Sequence, residues 1–121
     1  MSTVKLPATD VQQDLMGHQY KAININGMLA TGPLDASGIL VTQTSSGEDA
    51  SFTVFGREMF ISGGAIVKGN RLRVIDGGFL VNATSGSTSC GFAETSVSSG
   101  SQGRGFFNFA GQTYHVSSNG E

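Results

Sequence analysis

The chain contains few residues able to do chemistry. The stretch ISGGAIVKGNRLRV, residues 61–74, sets Lys68 among glycines and branched apolar residues in a regular rhythm. A carrier lysine would sit in a tight turn, typically between methionines, whereas Lys68 has Val67 and Gly69 as neighbours and Met59 lies far off. A phosphate-binding loop needs glycines, then Lys-Ser or Lys-Thr, then a helix; here Lys68-Gly69 is in the wrong order and no helical pattern follows. Gly100, Gly103 and Gly105 precede a strand-like segment, so they do not form a dinucleotide fingerprint either.

Nucleophilic catalysis by serine needs a base and an orienting acid. The chain has many serines but no Gly-x-Ser-x-Gly elbow, and its two histidines, His18 and His115, have no adjacent acid. They read as exposed or structural side chains and make a poor zinc pair. Glu48 and Asp49 are neighbours in a turn, where solvated loop charges are expected. Cys90 is the only cysteine, which excludes an internal disulfide and a thiolate cluster, and its position before Gly91-Phe92 suggests a buried inert thiol. Asn82-Ala83-Thr84 matches a glycosylation sequon by chance, since no secretory signal accompanies it. No catalytic residue, metal site or cofactor is predicted, and the chain does not read as an enzyme.

The elements carrying these residues are strands. YKAINI (20–25) alternates, and Asn26-Gly27 after it signals a turn. Further strands are expected at 38–44, at 50–56 continuing through 57–62 past a bulge at Gly56, and at 65–67, 71–75, 79–83, 90–96, 103–109 and 112–117. The Ala110-Gly111 step suggests a closing hairpin between the last two. No segment shows apolar residues at helical spacing over helical length. Short strands with regular turn signals imply an all-β fold, a small β-barrel.

Residues 1–19 are mostly polar and interrupted by Pro7, and are read as an extended N-terminal arm ahead of a domain spanning 20–121. With 121 residues the chain suits one core. Its charged fraction of 13% and net charge of −2 lack the basic footprint of a nucleic-acid binder; only Lys68, Arg71 and Arg73 lie close together. No apolar run is long enough for a signal peptide or a membrane span, so a cytosolic origin is expected, with no membrane partner.

The order of these parts resembles the small head decoration, or cement, proteins of tailed bacteriophages. The resemblance rests on the arm 1–19, the strand with Phe52, Val54 and Gly56, the hairpin with Val67, Gly69 and Leu72, and the strand opened by Gly91, Phe92 and Ala93. It covers most of the chain, but AGQTYHVSSNGE at residues 110–121 has no counterpart in it. It implies a β-barrel or β-tulip-like domain that forms homotrimers. These would sit at three-fold and quasi-three-fold sites on the outer capsid surface of the virion, clamping the major capsid protein after assembly in the host cytoplasm. The arm would add a strand to a capsid sheet, with Val4 and Leu6 alternating for register and Pro7 ending the pairing; Thr3, Val4, Lys5 and Leu6 are the residues assigned to that contact. Deleting residues 2–17 is then expected to leave a folded trimer and to weaken capsid binding. The alternative is a phage tail or fibre module, or another adhesin-like β-sandwich. Tyr20 and Tyr114 are the only tyrosines and Trp is absent, which argues against a sugar-stacking platform.

Overall fold

The computed structural model describes residues 3–84, 88–109 and, by backbone alone, 113–114. Among them no helix forms, and the elements are ten strands: β1 Val4–Ala8, β2 Ala22–Ile23, β3 Gly38–Leu40, β4 Ala50–Ile61, β5 Arg71–Ile75, β6 Phe79–Asn82, β7 Thr88–Ser89, β8 Gly91–Ala93, β9 Gln102–Asn108 and β10 Thr113–Tyr114. Eight of them form one antiparallel sheet in the order β2-β3-β4-β9-β8-β5-β6, with β1 on β4. The sheet curls back on itself: Ser62, just past β4, bridges Leu80 of β6, and the Gly63 N–H donates to the Leu80 carbonyl at 2.8 Å. This gives the small barrel expected from the strand pattern.

Strand β4 organises the barrel because it turns a corner. Val4 pairs Phe55 and Lys5 pairs Thr53, so Val54 is left over as a bulge, and Gly56 follows with φ of 119°. The bend is sharp enough for the Thr53 hydroxyl to donate to Glu58 Oε1 at 2.8 Å. Five residues of straight strand would separate those backbones by about 16 Å. A bulge was expected at Gly56; it lies at Val54, two residues earlier, and re-aims the strand. Its first half flanks a core of Ala8, Val11, Leu15, Ile23, Leu40, Ala50 and Phe52. Its second half faces the larger core with Phe60, Phe107, Leu72, Val74 and Leu80, and Val54 packs against both. In β9 the glycines make room for rings. A side chain on Gly103 would meet the Phe60 ring at 2.9 Å, and Phe60 sets its ring edge-on to Phe107 at 5.9 Å.

The N-terminal segment is packed into this fold. Residues 4–8 are extended, as expected, but their partner is the chain's own β4, and Ala8, Val11 and Leu15 are buried at 1%, 1% and 0% exposure. The Val11 N–H donates to the Glu48 carbonyl and the Leu15 N–H to the Thr44 carbonyl. Deleting residues 2–17 would remove a strand and three core side chains, so the folded truncation expected from the sequence has no basis in this packing.

Two other expectations change. The six-residue strand at 20–25 shrinks to β2, because Tyr20 has φ of 73° and Asn24 uses its side-chain oxygen to accept from the Asn26 and Met28 N–H groups. The closing hairpin is replaced: β10 pairs with β7 rather than β9, while Ala110-Gly111 and His115 lie outside the described residues.

Candidate interaction surface

The described residues that the sequence singles out have the following surroundings. Lys68 is exposed in a turn whose N–H donates to Ser96 Oγ at 2.9 Å, with Gly69 at φ of 93°. His18 is half-buried and accepts a hydrogen bond from the Lys21 ammonium at Nδ1, 3.0 Å away. Burial, then the Lys21 charge, holds its pKa below the usual 6.5, against an opposing pull from Asp14. Cys90 is buried, and desolvation pushes its thiol up to about 12. Glu48 accepts from the Ser45 N–H and Asp49 from the Asp10 N–H, as loop ties. Asn82 of the sequon bonds Asn70 and the Ala65 carbonyl. Among the described residues no three His, Cys, Asp or Glu side chains come together to hold a metal ion.

Of the four residues assigned to a partner contact, Thr3 precedes β1 and Val4, Lys5 and Leu6 open it. Thr3 lies against Gly56, where a Cβ would come within 2.9 Å of the threonine hydroxyl. Val4 and Leu6 are each 46% exposed, and Lys5 is exposed. One edge of β1 is used by β4. The hydrogen bonds of Ser51 show what the other edge offers: its N–H goes to Thr42 Oγ1 and its carbonyl accepts from Val41, both away from β1. Pro7, opposite Ser51, is therefore in a pair without ladder bonds, and its missing N–H falls on the outer edge. Only Lys5 presents both a donor and an acceptor outward before Pro7 blunts the edge.

A second surface arises from register. Across the outside of the barrel Arg57 of β4 pairs Phe106 of β9, Phe106 pairs Phe92 of β8, and Phe92 pairs Arg71 of β5. Paired residues share a face, so two phenylalanines lie between two arginines in one cross-strand row. The rings of Phe92 and Phe106 stack at 5.7 Å, Phe55 meets Phe106 edge-on at 5.4 Å, and Phe92 remains 38% exposed. Arg104 and Arg73 stand two residues from Phe106 and Arg71 on the same face, so all four arginines of the chain share it. Arg57 Nε pairs with Glu94 at 3.1 Å; no ion pair restrains the other three among the described residues. The sequence shows only the closeness of Arg71 and Arg73. Arg57 and Arg104 join them through pairings no local pattern reveals.

No family model matches the chain, and no curated protein matches it. Among solved structures it is similar to the N base of head fiber gp8.5 in bacteriophage phi29, with a TM-score of 0.69 at 16% sequence identity, covering 89% of this chain and 96% of that one. At that identity the likeness is one of fold, and it extends over nearly the whole of both chains.

Proposed function

We propose that this protein is a structural component of a phage head. In this reading it is a decoration protein that binds as a homotrimer at three-fold and quasi-three-fold sites and clamps copies of the major capsid protein non-covalently. The observation that carries the reading is the shared fold with the base of a phage head fiber, matched across 89% of this chain. The sequence resemblance to head decoration proteins points the same way, from different features. Its partners would be other copies of itself and the capsid protein. Its place would be the outer surface of the virion, reached after synthesis in the host cytoplasm.

The physical features suit a clamp. A barrel with two packed cores is a rigid spacer, and a clamp works by contact area rather than by chemistry. About 800 Å² per partner suffices for a stable contact, repeated by symmetry at each copy. The half-exposed Val4 and Leu6 on β1 supply apolar surface to such a contact.

The structural neighbour is the base of a head fiber, which favours a second reading, in which this barrel is the foot of a projecting element. Mixing the purified protein with expanded, undecorated phage heads and imaging them by cryo-electron microscopy separates the two. Density bridging capsid subunits at three-fold sites, with heads that survive higher temperature, supports the clamp. Density that touches the shell without bridging subunits, and no gain in stability, supports the foot. Heads that stay bare sink both.

A further inference from the structure

The outer arginine–phenylalanine row is built like the centre of a protein contact. Arginine and aromatic residues are enriched there, and a stacked pair of exposed Phe92 on half-buried Phe106 between two arginines offers apolar area with charged borders. The rest of the molecule has the opposite sign. Four arginines against Glu94 leave +3 on this face, whereas the other described residues carry three lysines against seven carboxylates, or −4. The nearest thing to an acidic pole is the pair of loops joined by the Asp10 N–H donating to Asp49 at 3.0 Å, where Asp10, Glu48 and Asp49 are all exposed. These loops lie at the start of β4, whereas Arg57 lies beyond its corner.

We propose that the row Arg57–Phe106–Phe92–Arg71 is the surface on which a second copy of this chain docks, receiving its Asp10 and Glu48-Asp49 loops. Two copies of the row cannot face each other, because their arginines would repel. The contact is therefore head-to-tail, the kind that closes into a ring when the rotation permits. That the ring closes at three subunits rests on the trimer reading above; that the contact joins unlike faces does not.

The test is sedimentation of the purified full chain with charge-reversed variants. Wild type is expected to self-associate. Arg71→Glu and Asp49→Lys, both at exposed positions, are each expected to weaken association about 10- to 100-fold while leaving the thermal midpoint in place. The double variant carries the charges exchanged, and every copy presents both faces, so association should return to within a few-fold of wild type. A monomeric wild type, self-association indifferent to both single variants, or a double variant no better than either single one would overturn the proposal. So would a fluorescent single-stranded oligonucleotide that binds wild type and not Arg71→Glu while self-association is unmoved, since that would assign the row to nucleic acid. Adding undecorated heads to the same proteins keeps the two readings apart. Self-association with the expected charge dependence but no head binding sinks only the head reading. Head binding by a chain whose association ignores Arg71 sinks only this one.

Discussion

Leu15 separates an accessory arm from an integral part of the domain. Its side chain has 0% exposure and packs with Ala8, Val11, Ile23, Leu40, Ala50 and Phe52, while its neighbour Met16 is 51% exposed. Truncating Leu15 to alanine removes about three carbon groups, worth about 0.8 kcal/mol each in transfer, or ~2.4 kcal/mol. The backbone is pinned by the 2.8 Å bond from the Leu15 N–H to Thr44, so the site collapses only in part and a cavity term lifts the loss to ~3 kcal/mol. With a urea dependence of about 1.5 kcal/mol per molar, the unfolding midpoint should fall by ~2 M. Met16→Ala, in the same segment, should shift it by less than ~0.3 M, as exposed substitutions do. Equilibrium urea unfolding followed by circular dichroism reads both. If the two variants shift the midpoint equally little, residues 9–19 are not part of the core and the arm is peripheral after all.

Other expected outcomes follow from single groups. Gly91→Ala would drive a methyl into the Phe106 carbonyl and the adjoining backbone of β9, which no side-chain shift can relieve, so the midpoint of thermal unfolding should drop by more than ~10 °C or the protein should not fold; Gly64→Ala, with open space around it, should match wild type. Cys90, its thiol raised to about 12, should be inert to a disulfide-exchange reagent in native protein at about pH 8 and react fully in denaturant. His18 has a lowered folded-state pKa, so below 6.5 the unfolded chain takes up its proton more readily and stability is lost as the pH falls. The fall in urea midpoint between about pH 7.5 and pH 5.5 should therefore be smaller in His18→Gln than in wild type.

What could be read from the sequence was what depends on near neighbours. Arg71 to Ile75 alternates in a way that matches β5 residue for residue, with Leu72 and Val74 buried. A bend close to Gly56, the turn at Lys68 and the burial of Cys90 were also legible, since each depends on local residue type, though the bulge itself falls at Val54. The pairing of β1 with β4 was not, because the partner lies more than 40 residues away and Val4-Lys5-Leu6 alternates equally well for any sheet edge. Val11 and Leu15 are spaced too sparsely among polar residues to announce a core face, yet both are buried. The shared face of the arginines required the register of β4, β9, β8 and β5 together.

The corner strand also has a consequence for how the chain is made. β4 pairs Phe55 with Asn108 and Ile61 with Gln102, so its second half has no ladder on that side until about 50 more residues have left the ribosome. At roughly 5 to 20 residues per second that is a wait of about 2 to 10 s. β1 is already synthesised and covers the edge of the first half only, as far as the bulge. The segment from Arg57 to Ile61 spends those seconds as an open edge, which makes it a stretch exposed to mispairing with other nascent chains.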